Sequence, residues 1–202
     1  MYNWPQRKRQ RLKNFDYSTN GFYFVTICTK NRENYFGEIV DGKMLLNECG
    51  KTAEKVFINL PNHYKNCLID EYILMPNHFH GIIIIENTLN VGTGLGVGTG
   101  LGVGTGLGVG TGLGVGTGFK PVPTGKNHWL SEIIRWFKTF SSRNINNLQN
   151  DFTFSWQRSF FDIIIRNDEQ LEKTRQYIID NPLKWEWDKN NLINIKIVWV
   201  KK

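Results

Sequence analysis

Two of the four histidines of this sequence lie one residue apart, in the segment MPNHFH (residues 75–80). An apolar run, GIIII (residues 81–85), follows and indicates a buried β-strand. Residues i and i+2 of a strand point to the same face, so His78 and His80 share one face while Phe79 faces the core. Two neutral imidazoles side by side can coordinate one divalent metal ion. The alternative is a pair of partly buried histidines that only form hydrogen bonds.

A tyrosine and an amide on a later predicted helix could complete such a site. Tyr177 lies four residues before Asn181, so both can project from one helical face. A tyrosine with a pKa of about 10 is a poor nucleophile, but a metal ion that polarises a phosphate makes its attack feasible. Taken alone, Tyr177 fits packing at a helix edge better than a catalytic role. Combined with the two strand histidines it becomes a specific indication of phosphoryl transfer.

The first half of the sequence predicts strands, a hairpin and a helix. Residues 22–29 and 66–74 are predicted strands, and 78–86 is the strand of the histidines. Asp41-Gly42 predicts a hairpin turn between residues 38–40 and 43–46. Asn47 can cap a helix that runs to about Leu60.

The second half predicts a helix, a strand, another helix and a last short strand. Apolar residues at helical spacing define the first helix: Leu130, Ile133, Ile134, Phe137 and Phe140. Residues 159–165 are a predicted strand, Asn167 or Asp168 can cap a helix to about Asp180, and residues 195–200 are the last strand. This order predicts an α+β fold, an antiparallel sheet with helices packed on one face, of ferredoxin-like type.

Between the histidine strand and the next helix the hexapeptide VGTGLG recurs from Val91 onward. Glycine at every second position makes ordering costly in backbone entropy and leaves few side chains to pack. The pattern therefore predicts a flexible linker at about residues 87–126. The chain, residues 1–202, is therefore predicted to form one domain that this linker interrupts.

The chain is basic, with 25 Lys and Arg against 18 Asp and Glu and a net charge of +7. That balance fits a nucleic-acid partner, with a solvated basic surface as the alternative. Candidate DNA-binding residues form an N-terminal arm and one helix face: Arg7, Lys8, Arg9, Arg11, Lys13, Arg135 and Lys138. No signal peptide or membrane span is predicted, and three cysteines without metal-like spacing favour free thiols in the cytoplasm.

These features together resemble the REP-associated tyrosine transposases, HUH-type single-tyrosine enzymes of the transposase IS200-like superfamily. The HUH element, histidine–apolar residue–histidine, matches residues 78–80 after a typical Met-Pro-Asn. The resemblance extends through residues 23–29, 156–162 and 166–167, and closes with YIIDNP at 177–182. It covers nearly all of the chain outside the linker.

The resemblance implies an HUH endonuclease fold and an enzyme that nicks and transfers single-stranded DNA at hairpin-forming palindromic repeats. It implies that Tyr177 is the nucleophile and forms a 5′-phosphotyrosine. His78 and His80 would be ligands of one Mg²⁺ or Mn²⁺, and Asn181 matches a position that holds a polar ligand. Such a protein would be cytoplasmic, nucleoid-associated when bound to DNA, and a monomer or homodimer.

Two other functions remain open at the level of sequence. A ferredoxin-like sheet can bind single-stranded or hairpin nucleic acid without catalysis. A metal-dependent phosphodiesterase could use water as the nucleophile and form no covalent adduct. The two differ from the transposase in what Tyr177 must do.

Overall fold

The computed structural model describes residues 19–86 and 129–194. The predicted basic arm (Arg7, Lys8, Arg9, Arg11, Lys13), the linker at 87–126 and the strand at 195–200 lie outside the described residues. Within the two described ranges, no helix is both long enough and apolar enough to cross a lipid bilayer.

The described residues form six strands and four helices. The strands are β1 (Gly21–Cys28), β2 (Gly37–Val40), β3 (Lys43–Leu46), β4 (Cys67–Met75), β5 (His78–Ile85) and β6 (Phe161–Ile165). The helices are α1 (Glu48–Ile58), α2 (Leu60–His63), α3 (Trp129–Gln149) and α4 (Asp168–Ile179), and a 3₁₀ segment, Pro182–Trp187, follows α4. The predicted caps are confirmed: the Asn47 side chain accepts from the Gly50 amide, and Asn167 accepts from the Gln170 amide.

Four strands make one antiparallel sheet in the order β4-β5-β1-β6, and β2 and β3 pair as a separate hairpin. In chain order the larger sheet is built from β1, α1, β4, β5, α3 and β6. That is the β-α-β-β-α-β arrangement of ferredoxin-like folds. The predicted α+β fold with an antiparallel sheet is therefore confirmed. The histidine strand β5 lies inside the sheet between β4 and β1, where its backbone is paired on both edges.

One face of the sheet forms the main core against α1 and α3. The Phe79 ring lies 4.5 Å from that of Phe57 on α1 and 5.4 Å from that of Phe137 on α3. Gly81 follows on the same face, where a Cβ would come within 2.5 Å of Phe79 Cζ. The absence of a side chain at Gly81 therefore leaves room for the rings of Phe79 and Phe57 to pack against the centre of β5. The predicted stripe of α3 is buried here, except that Phe140 is 38% exposed.

The opposite face of the sheet carries a smaller apolar cluster and helix α4. Phe24 and Ile82 of the sheet pack there with Leu171 and Ile178 of α4. The predicted packing of the helices on one face holds for α1 and α3, whereas α4 covers the other face. The physical reason is that β1 and β5 are apolar on both faces, so the second face also needs a cover. Since the histidines share this second face with Ile82, α4 and its tyrosine lie on their side.

An ion pair joins α4 to the edge of the sheet. The Arg175 guanidinium donates to both carboxylate oxygens of Asp70, with Nε–Oδ1 and Nη2–Oδ2 distances of 2.9 and 2.6 Å. Asp70 lies where the register of β4 against β5 shifts between Ile69 and Tyr72. The hydrogen bonds from Arg175 hold the pKa of the Asp70 carboxyl below its ordinary value. This bidentate pair therefore supplements the small apolar contact under α4.

We expect Asp70→Asn to lower the free energy of unfolding at neutral pH. A carboxyl whose pKa is depressed on folding contributes stability above its ordinary pKa of 3.8 and loses it as the pH falls through the lowered value. The difference between wild type and variant should therefore shrink as the pH drops below 3.8. Denaturant unfolding between pH 2 and pH 7 measures it. Glu71→Gln, at the exposed neighbouring position, is the control, and an equal pH dependence there would contradict this role for the pair.

Candidate active site

His78 and His80 point to the face of the sheet that α4 covers, and both are buried, with 0% and 1% of their surface exposed. Their Nε2 atoms face each other 3.0 Å apart. The other ring nitrogen of each histidine contacts a neighbouring side chain. His78 Nδ1 lies 2.9 Å from Asn77 Oδ1, and His80 Nδ1 lies 2.8 Å from Thr26 Oγ1 on β1. The two rings are thus fixed with one nitrogen of each directed into a shared site.

Aromatic side chains enclose the pair. The Phe24 ring stacks on His80 at 5.4 Å, and the Tyr177 ring meets His80 edge-on at 5.3 Å. Trp185, in the 3₁₀ segment after α4, lies 6.0 Å from the His78 ring. These contacts remove water from the imidazoles and restrict their rotation.

Both imidazoles are neutral at physiological pH. Burial lowers the pKa of His80 to about 3, and the positive charge of Lys189 acts in the same direction. Burial also lowers the pKa of His78 well below its ordinary value, with smaller contributions from His80, Arg32 and Lys189. A neutral imidazole can offer a lone pair to a metal ion, so low pKa values favour a ligand role.

Asp188 is the third group of the site, and it was not predicted from the sequence. Its Oδ2 lies 3.8 Å from His78 Nε2, and ligand atoms of His78, His80 and Asp188 all lie within 4.8 Å of one another. The backbone amide of Asn190 donates to Asp188 Oδ1, and the Arg32 guanidinium donates to Asn190 Oδ1 at 2.7 Å. A lone aspartate far along the chain carries no spacing signal, so only the fold brings it to the histidines.

Tyr177 projects from the last turn of α4 toward the same point. Its hydroxyl oxygen lies 3.4 Å from His80 Nε2, and 40% of the residue surface is exposed. Burial of the phenol raises the pKa of Tyr177, and a hydrogen bond from the Asn181 side chain opposes that shift. The phenol is therefore protonated at neutral pH while it remains open to a ligand from solvent.

Asn181 is 3% exposed, and its Oδ1 has no hydrogen-bond partner among the described residues. A buried amide oxygen without a partner costs free energy unless another group satisfies it. An oxygen of this kind beside Tyr177 fits a contact with a cation, although Asp188, and not Asn181, is grouped with the histidines. The predicted ligand role of Asn181 stays a prediction.

The predicted basic face of α3 lies on the core side of the sheet, away from the histidines. Arg135 is exposed and paired with Glu132 at 2.8 Å. The Lys138 ammonium instead donates to the backbone carbonyls of Gln157 and Arg158, and its burial lowers the pKa of the amine. Lys138 therefore holds the segment before β6 in place, and DNA binding by either residue stays a prediction.

Two cations that sequence analysis did not single out lie beside the histidines. Arg32, just after β1, donates to the Lys189 carbonyl at 3.0 Å, and Lys189 itself is exposed. The positive charges of Arg32 and Lys189 both act on the pKa of His78. A basic rim next to a neutral histidine pair is suited to an anionic group such as a phosphate.

The donor set fits a divalent metal ion. Two nitrogens bound to one ion at about 2.1 Å and at right angles are roughly 3.0 Å apart, as the two Nε2 atoms are here. A carboxylate oxygen nearby supplies the charge that two neutral imidazoles lack. Imidazole suits transition metal ions better than Mg²⁺, which prefers oxygen ligands. His78, His80 and Asp188 could therefore hold one divalent ion next to the Tyr177 hydroxyl.

The fold resembles a solved structure described as a REP-associated tyrosine transposase bound to a REP hairpin. That structure aligns with a TM-score of 0.51 and 16% identity, over 94% of this chain and 77% of the other. At this identity the likeness establishes the fold alone.

In sequence, no model of an established protein family matches. An uncharacterised protein of Haemophilus influenzae is 31% identical over 182 residues, which cover 90% of this chain and 91% of the relative. Identity of that extent across both chains shows common descent, and the chain belongs to the same protein family as this Haemophilus influenzae protein.

Proposed function

We propose that this protein is a metal-dependent HUH-type tyrosine transposase that nicks and transfers single-stranded DNA. The observation that carries the proposal is the position of the Tyr177 hydroxyl, 3.4 Å from His80 Nε2 at the edge of the His78–His80–Asp188 cluster. The phenolic oxygen therefore lies beside a nitrogen that a metal ion would use.

In the proposed reaction the Tyr177 oxygen attacks the phosphorus of a phosphodiester. A bond forms between Oη and phosphorus, and the bond from phosphorus to the 3′ oxygen of the preceding nucleotide breaks. The phenol gives up its proton to solvent, and the leaving oxygen takes one up as a free 3′ hydroxyl. The 5′-phosphotyrosine keeps the energy of the phosphodiester, so a second 3′ hydroxyl can reverse the step and join strands without ATP.

The residues around Tyr177 each support this step. A bound divalent ion, Mn²⁺ or Mg²⁺, would polarise the phosphate and stabilise charge in the transition state. His78 and His80 hold neutral ligand nitrogens in place, and Asp188 adds a negative ligand. Asn181 donates to the phenolic oxygen, which lowers the pKa of Tyr177 against the effect of burial. Arg32 and Lys189 add positive charge where a phosphate would approach.

Single-stranded DNA next to a hairpin is the proposed substrate. The net charge of +7 favours nucleic acid, and the solved structure with this fold is described as bound to a REP hairpin. The half-exposed Tyr177 leaves its phosphate site open at the surface, which a flexible single strand can enter more readily than a stiff duplex. The N-terminal arm, the exposed Arg135, and Arg32 and Lys189 beside the histidines are the residues proposed to contact the DNA backbone, whereas Lys138 is occupied by the carbonyls of Gln157 and Arg158.

Tyr177→Phe should abolish cleavage and covalent adduct formation while preserving folding and hairpin binding. The change removes one hydroxyl and keeps the ring that packs on His80. The measurement is a denaturing gel of a labelled hairpin oligonucleotide with a single-stranded flank, after incubation with protein and Mn²⁺. Tyr72→Phe is the matched control, because its ring lies on the core face with its hydroxyl on Glu54.

The same gel separates the competing functions. An adduct from wild type and Tyr72→Phe but not from Tyr177→Phe supports the transposase. Cleavage without an adduct indicates a phosphodiesterase that uses water, and a shift on native gels alone indicates a non-catalytic binder. An adduct formed by Tyr177→Phe would show that another residue is the nucleophile.

Replacing a ligand of the proposed metal site should weaken Mn²⁺ binding and abolish cleavage. We expect His78→Ala and His80→Ala to lose measurable Mn²⁺ binding by calorimetry, and Asp188→Asn to raise the Kd by at least about tenfold. Hairpin binding should change little, because the basic residues are untouched. His63→Ala, an exposed histidine on α2, is the control. Wild-type Mn²⁺ affinity in either histidine variant would contradict the metal assignment.

A further inference from the structure

We infer that Asn77 is a positioning residue that locks His78 in its Nδ1–H tautomer, whereas Thr26 leaves His80 free to change tautomer. The effect on metal binding rests on the proposed function. The tautomers themselves follow from hydrogen bonds among protein groups.

The orientation of the Asn77 amide is fixed by two backbone carbonyls. Its nitrogen lies 2.8 Å from the Arg32 carbonyl oxygen and 2.9 Å from that of Asn190. Both carbonyls can only accept, so the donor end of the amide must face them. Asn77 is fully buried, and water cannot replace these bonds. The amide oxygen therefore faces His78.

That oxygen can only accept, so the nitrogen opposite it must donate. His78 Nδ1 lies 2.9 Å from Asn77 Oδ1 and consequently carries the ring proton. A neutral imidazole has one N–H, which leaves a lone pair on Nε2. This lone pair points to His80 and Asp188, the direction in which a metal ligand is needed. A partner on the far side of a ligating histidine is a general means of fixing its tautomer.

His80 must then have the other tautomer in the metal-free protein. Its Nε2 lies 3.0 Å from the lone pair of His78 Nε2 and 3.4 Å from the Tyr177 hydroxyl, and in the metal-free protein a proton on it can bridge to His78 at the same separation that two ligands of one ion would have. His80 Nε2 therefore donates, and its Nδ1 accepts from the Thr26 hydroxyl at 2.8 Å. A hydroxyl can also accept, so Thr26 can serve either tautomer of His80.

Asn77 and Thr26 therefore act differently: Asn77 fixes the tautomer of His78, and Thr26 accommodates both tautomers of His80. For both Nε2 atoms to act as ligands, only His80 has to change: it loses the proton on Nε2 to solvent, gains one on Nδ1, and keeps its charge. Thr26 then accepts where it previously donated. The Nε2–H bond between the histidines holds the pair together before binding, and His78 is ready to bind throughout.

Long-range ¹H–¹⁵N correlation spectra of the imidazoles test this directly on the full chain. In protein treated with chelator, His78 should show the Nδ1–H pattern and His80 the Nε2–H pattern. Saturation with Zn²⁺, a diamagnetic probe, should convert His80 to Nδ1–H and leave His78 unchanged. An Nε2–H pattern for His78 in the metal-free wild type would overturn the inference without any variant.

Asn77→Ala should let His78 populate the Nε2–H form and raise the Kd for Mn²⁺ roughly 10- to 100-fold. The control is Thr29→Val, which removes a buried hydroxyl that donates to the Asn77 carbonyl but leaves the amide–imidazole bond intact. Thr29→Val should keep the wild-type tautomers, and the same tautomer change in both variants would count against a specific role for Asn77. Failure of the wild type to bind Zn²⁺ or Mn²⁺ would overturn the proposed function instead, since the metal-free spectra decide the tautomers independently.

Discussion

The alternation of side chains along β5 is the constraint on which the rest of the structure depends. Phe79 and Gly81 face the core of α1 and α3, so His78 and His80 must face the other way. Because β5 is paired on both edges, a shift of one residue would turn Phe79 toward α4 and the histidines into the aromatic core. The energy of core packing thus fixes the direction of two polar side chains that contribute little to it.

A buried histidine pair needs partners, and the surrounding loops supply them. Asn77 contacts the loop after β1 through Arg32 and the segment after α4 through Asn190, so one amide joins three parts of the chain beside His78. The Arg32 guanidinium in turn donates to the side-chain oxygen of Asn190, and the backbone amide of Asn190 donates to the Asp188 carboxylate. These hydrogen bonds connect the loops into one polar network, so loss of one member should loosen several ligands together.

The tyrosine is held more lightly than the histidines. Only Leu171 and Ile178 of α4 are buried, and the ion pair of Arg175 with Asp70 supplements them. A nucleophile that must approach a phosphate, become attached to DNA and later be released is suited to a helix with a modest interface. Strand β5 thus holds the histidines in fixed positions, while helix α4 allows Tyr177 to move.

Sequence alone predicted the elements with strong periodicity and the site residues with a recognisable spacing. The histidine strand, the Asn47 and Asn167 caps and the Asp41-Gly42 turn follow local rules, and the structure confirms them. Asp188, Thr26 and Arg32 could not be found in this way, because their contacts depend on strand order and on how the segment after α4 folds back. The position of α4 on the second face of the sheet was not predicted, because β1 and β5 carry apolar residues on both faces. Their sequence therefore does not show which face a later helix will cover.

The most direct test of the account is the position of a bound metal ion relative to Tyr177. Anomalous diffraction at the manganese edge, from crystals of the full chain equilibrated with Mn²⁺, gives that position without reference to activity. The account predicts one strong peak bounded by His78 Nε2, His80 Nε2 and the Asp188 carboxylate, on the side that the Tyr177 hydroxyl faces. A peak elsewhere, or no peak at a Mn²⁺ concentration that supports cleavage, would contradict it.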